Sequence, residues 1–189
     1  MTMRPEQASA LSYLRRKGTE APAADLRKSL AGALGELEAL LASIPPEERD
    51  RPPAAGGWSV QGVLDHLVAS HEPAVAELGA LVAGKRPAGG PIPAGLRSPY
   101  GVSPGWDELM DRLRRVHRHL LDLAEAGEGA SLEVRAPVVL VIKAELEPGK
   151  PVPIEWIEEL DWKAYVQALR VHTIEHMAQI RRTARQGQS

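Results

Sequence analysis

The sequence predicts an all-α protein: one four-helix bundle with a long crossover loop and a short N-terminal extension. Three observations point there. Four long stretches repeat apolar residues at steps of three and four. A segment rich in Pro and Gly, residues 84–105, separates the second stretch from the third. Strand signal is confined to one short region after the third stretch. The 189 residues suit one domain with a full-sized core. The boundaries read as an extension over residues 1–21 and a bundle over 22–186.

Residues 8–16 form a short helix ahead of the bundle, broken by Lys17-Gly18-Thr19-Glu20-Ala21-Pro22. The first long helix covers about 23 to 43, where Leu26, Leu30, Leu34, Leu37 and Leu41 make one stripe. Pro45-Pro46 ends it. A Pro/Gly loop, residues 51–57, leads to Trp58 and then Ser59, a good N-cap for the second helix. Its stripe is Val60, Leu64, Leu67, Val75, Leu78 and Leu81, with His66 beside it. Pro73 falls inside this pattern and predicts a kink about one turn earlier. A third helix follows over about 104 to 125, with Leu109, Leu113, Val116, Leu120 and Leu123 on one face. The β-branched run from Val134 and the turn at Pro148-Gly149 predict a small extended or hairpin excursion up to Trp156. The fourth helix begins between 154 and 162, with Asp161 as an internal N-cap that splits a short helix from a long one. Its seam reads Trp162, Val166, Leu169, Thr173, His176, Ile180.

Composition removes several classes of function. The chain has no cysteine, which excludes a disulfide framework, a thiolate metal site and a cysteine nucleophile. Any transition-metal site must use His, Asp and Glu. The net charge is -2, and the densest basic run, Arg112 to Arg118, reads as the wet face of an amphipathic helix. No nucleic-acid footprint is expected. No signal peptide and no membrane span are visible, so a cytoplasmic protein is expected.

His172 and His176 stand one helical turn apart and project from the same face. Two imidazoles so placed can chelate one ion, and His66 completes a set of three if its helix packs against theirs. The plainer reading is a set of buried histidines satisfied by hydrogen bonds. A zinc-protease helix is disfavoured, because Thr173 and not Glu follows His172. His71 lies five residues after His66 and points roughly 140° away on a regular helix. The kink at Pro73 could alter that direction, so His71 is a candidate for a pocket group or one that orients a ligand ring, and for an acid or base at the mouth of the site. His117 and His119 read as rim or surface residues. Trp58, Trp106, Trp156 and Trp162 read as core anchors or caps of the bundle ends.

Taken in order, Gly57-Trp58-Ser59-Val60, Asp65-His66-Leu67, Ser70-His71-Glu72 and the run from His172 through His176 to Gln179-Ile180 resemble the DinB-like superfamily. These are metal-binding helical-bundle proteins that include the YfiT-like proteins and the bacillithiol and mycothiol transferases. The resemblance covers about residues 22–185. It implies a four-helix bundle with a crossover between the second and third helices. It implies His66, His172 and His176 as ligands of a divalent ion, zinc or nickel, and a homodimer. Among its members of known activity it implies a stress-related, thiol-dependent S-transferase, whose partners are a low-molecular-weight thiol cosubstrate and a small electrophile. A metal-dependent hydrolase shares the same site. A non-catalytic binding or scaffold protein with a structural metal is the reading of a different class. Asp65, Glu72 and Glu175 are the nearest candidates in sequence for groups that orient the ligand rings. No thiol-binding residue set is identifiable in the chain.

Overall fold

Residues 3–53, 56–99, 104–147 and 150–186 are described by a computed structural model. Most of these residues are helical. Four long helices carry the core: α2 (Ala23–Ala42), α4 (Val60–Val82), α5 (Trp106–Ala126) and α6 (Trp162–Gln186). Helix α2 packs on α5 and α6, and α4 packs on the same two. Each apolar stripe therefore meets two neighbours. Three further helical pieces are smaller: α1 (Pro5–Leu14), a π-helical turn over Arg15–Thr19, and the single turn α3 (Pro46–Arg49). No helix among the described residues is long and apolar enough to cross a membrane.

Local chemistry sets the helix starts. The Ser59 hydroxyl accepts from the Gly62 N–H at 3.1 Å and caps α4. Helix α4 then runs unbroken to Val82 with Pro73 inside it. Asp161 caps α6, its Oδ1 accepting from the N–H groups of Lys163 and Ala164, each at 3.0 Å. No short helix precedes that cap. Residues 150–160 form a strand instead, because Pro151, Pro153 and the apolar residues that alternate with Glu155, Glu158 and Glu159 suit an extended chain. Strand β1 (Ala136–Glu147) pairs antiparallel with β2 (Lys150–Leu160), Val139 opposite Ile157 and Ile142 opposite Ile154. The predicted turn at Pro148-Gly149 lies outside the described residues.

The N-terminal segment departs from the expectation of a broken helix. The chain does not stop at Lys17-Gly18; it loosens into the π turn and docks on α6. Thr19 donates its hydroxyl to Asp161 Oδ2 at 2.6 Å, and Lys163 Nζ donates to the Thr19 carbonyl at 2.9 Å. Gln167 donates to the Tyr13 hydroxyl at 3.0 Å. Only glycine fits at position 18, since a Cβ there would stand 2.8 Å from the Cα of Ala164. Leu14 joins Leu160 and Ala164 in a small apolar cluster beneath the hairpin.

The main core divides into two apolar clusters stacked along the helices. One holds Leu30 and Leu34 of α2, Leu78 of α4, Leu120 of α5 and Trp162 and Val166 of α6. The other holds Leu37 and Leu41, Leu64 and Leu67, Leu109 and Leu113, and Met177 and Ile180. Each fully buried leucine contributes about 1.5–3 kcal/mol. The switch from one cluster to the other falls between residues 68 and 74 on α4, 113 and 116 on α5, and 169 and 177 on α6. His71, Thr173 and His172 stand in that interval, and His117 directly follows it.

Candidate metal centre

His66, buried in the second turn of α4, faces His172 and His176 on α6. The Nε2 atoms of His66 and His172 are 3.1 Å apart, and those of His172 and His176 are also 3.1 Å apart. Three imidazoles from two helices thus turn one nitrogen each toward a common point, the one such group of potential metal ligands among the described residues. Ligand nitrogens about 2.0–2.1 Å from a tetrahedral zinc ion stand roughly 3.3 Å from each other. The observed spacing fits that requirement closely.

The opposite nitrogen of every ring is held. His66 Nδ1 lies 2.7 Å from the Leu96 carbonyl and donates to it. His176 Nδ1 lies 2.9 Å from Gln179 Oε1 and donates to that oxygen. His172 Nδ1 lies 3.3 Å from Nε2 of His71. A proton on each Nδ1 leaves each Nε2 with its lone pair free, which is the form a metal binds. Burial supports the neutral state. It lowers His66, holds His71 and His172 well below their ordinary value, and pushes His176 down to about 4. Three uncharged imidazoles with convergent lone pairs suit zinc, nickel, copper or iron.

The loop after α4 completes the wall on the His66 side. Ser98 donates to Asp65 twice, from its N–H at 3.0 Å and its hydroxyl at 2.6 Å. These bonds hold the neighbouring Leu96 carbonyl against His66. Trp58 lies over the His66 ring with centroids 5.0 Å apart, and the Arg97 guanidinium sits 5.2 Å from the Trp58 ring centre. Trp58 is therefore part of the site's surround, where sequence reading placed only a core anchor or a cap. Trp106 and Trp162 are buried core residues as expected.

Two histidines lie deeper than a mouth or rim position. His71 is not at a mouth. It is 1% exposed, behind His172 and away from solvent, because its 140° offset from His66 turns it along the stripe of Leu67, Ala74 and Leu78. His117 is not at the surface either. It is 2% exposed, and its Nδ1 lies 2.6 Å from Glu38 Oε1. The reason is legible in the spacing: Leu113, His117, Leu120 and Ala124 follow steps of four, three and four, which places His117 on the core face. His119 is exposed, as expected.

The orienting groups are also other than the acids nearest in sequence. Asp65 is engaged with Ser98, Glu72 forms a two-bond pair with Arg112 at 2.9 and 2.7 Å, and Glu175 is exposed. Leu96, Gln179 and His71 take the ring nitrogens instead. Gln179 had a signal, one helical turn beyond His176. Leu96 had none, since a backbone carbonyl in an irregular loop leaves no mark on composition.

The sequence model of the DinB superfamily matches residues 29–180, most of the chain. The chain belongs to that superfamily. No curated protein and no solved structure matches it.

Proposed function

We propose that this DinB superfamily protein holds one divalent ion, zinc or nickel, on His66, His172 and His176 and uses it in thiol-dependent S-transfer to a small electrophile. The observation that carries the reading is the pairing of three convergent Nε2 atoms with three engaged Nδ1 atoms. A bound ion of this kind lowers the pKa of a thiol or water at an open position, giving a nucleophile at neutral pH.

The remaining roles fall to side chains. Leu96, Gln179 and His71 fix which nitrogen of each ligand ring carries its proton. Trp58 and Arg97 offer an apolar surface and a positive charge beside His66 for a small substrate. Three protein ligands and no fourth among the described residues favour an exchangeable position over a closed structural site. Partial exposure of His172 and His176 gives that position a route to solvent.

The test is a turnover assay on zinc- and nickel-loaded protein with a panel of low-molecular-weight thiols and a chromogenic aryl halide. Metal-dependent conjugation with at least one thiol, lost in His176→Ala, is expected. Ester or amide hydrolysis without any thiol would replace the transferase by a hydrolase. A bound metal with neither reaction would favour the non-catalytic scaffold.

A further inference from the structure

Two buried nitrogens in the layer between the core clusters have no hydrogen-bond partner among the described residues: Nδ1 of His71 and Nε2 of His117. Their rings are neighbours, with centroids 5.7 Å apart and planes at 48°. Leaving such a group unpaired in the interior costs more than a hydrogen bond contributes, so two adjacent orphans need explaining. The outer nitrogens of the same two rings are engaged, His71 Nε2 with His172 Nδ1 and His117 Nδ1 with Glu38 Oε1.

The proton positions can be followed from either end. A metal on His172 Nε2 requires a proton on His172 Nδ1, which can only be donated to His71 Nε2. Neutral His71 then carries its own proton on Nδ1, as a buried donor without an acceptor. At the far end the Glu38 carboxylate accepts only, so His117 carries its proton on Nδ1. In its neutral form His117 then has a bare Nε2, a buried acceptor without a donor. The two orphans are complementary, a donor and an acceptor on adjacent rings.

We infer that Glu38, His117 and His71 form an ordered chain that sets the tautomer of His172 and so readies its Nε2 for the ion. They are positioning residues, acting from α2, α5 and α4 on a ligand of α6. The chain crosses the bundle and ends at Glu38, in a surface cavity between α2 and α5 with Arg114 and Arg118 at its rim. The inference rests on the ligand reading of His172.

The test combines two measurements on the full chain. The first is ring-nitrogen NMR on metal-free protein, which reports tautomers directly and does not depend on metal loading. Wild type should show His71, His117 and His172 with the proton on Nδ1. In Glu38→Ala, His117 should shift toward the Nε2–H form. The second is zinc affinity by chelator competition, together with the visible spectrum of the cobalt-substituted protein. Glu38→Ala and His117→Phe should each bind zinc about tenfold more weakly and alter the cobalt bands. Glu38→Gln, whose amide oxygen can still accept, should recover most of the loss. Thermal melts of the metal-free variants identify any that fail to fold, and the Glu38 pair keeps the test valid without His117→Phe. Wild-type affinity and unaltered cobalt bands in both Glu38 variants would overturn the chain while leaving the ligand reading intact. An Nε2–H His117 in wild type would do the same. A wild type that binds no zinc would remove the ligand reading and the chain with it.

Discussion

Asp65 and Ser98 are joined by two hydrogen bonds, at 3.0 and 2.6 Å, that bind the loop after α4 back onto the helix carrying His66. Asp65 is 2% exposed, so its carboxylate depends on these partners and on Arg97, whose Nε lies 3.8 Å away. The same loop presents the Leu96 carbonyl to His66 Nδ1. Ser98→Ala should therefore loosen the carbonyl and weaken zinc binding by up to about tenfold, while the fold survives. Chelator competition reads the affinity and circular dichroism the helix content. An unchanged affinity would mean that the loop contact does not reach the centre.

The N-terminal helix should contribute to stability without affecting the metal. A methyl group at position 18 collides with the backbone of Ala164, which cannot move aside within α6. Gly18→Ala should cost about 1–3 kcal/mol in urea unfolding. Zinc affinity should stay at the wild-type value, since Gly18 touches none of the ligand rings. A loss of affinity in this variant would tie the N-terminal segment to the site.

The histidines predict an acid-sensitive metal-free protein. Burial holds His66, His71 and His172 below their ordinary value of 6.5, and His176 at about 4. The unfolded chain takes up its protons near 6.5, so between 6.5 and about 4 it binds more protons than the folded chain. The stability contributed by the neutral rings is complete above 6.5 and is lost as the pH falls through the folded values. Metal-free protein should melt at a lower temperature at about pH 5 than at about pH 7.5, and His176→Gln should reduce the difference. A melting temperature that stays level, or rises, as the pH falls would contradict the burial of these rings as neutral groups.

Much of the helical framework was legible because leucine at steps of three and four leaves a strong periodic signal, and the starts of α4 and α6 were marked by Ser59 and Asp161. The strand at 150–160 was harder. Its alternation is diluted by prolines and acids, and a cap at Asp161 reads equally well after a strand or after a helix. His117 was misplaced because four arginines and two histidines crowd residues 112–119 and hide its place on the leucine stripe. The three convergent histidines were suggested by spacing and sharpened by family resemblance. The groups holding their second nitrogens depend on tertiary packing, through a loop carbonyl and a histidine from a neighbouring helix, and no local pattern encodes them.

The most direct test of the metal centre is elemental analysis of protein purified without a nickel column, with His66→Ala and His176→Ala alongside. About one zinc or nickel per wild-type chain is expected, with most of it lost in both variants. A wild type that takes up no ion even after zinc or nickel is added, or variants that retain it fully, would contradict the three-histidine site.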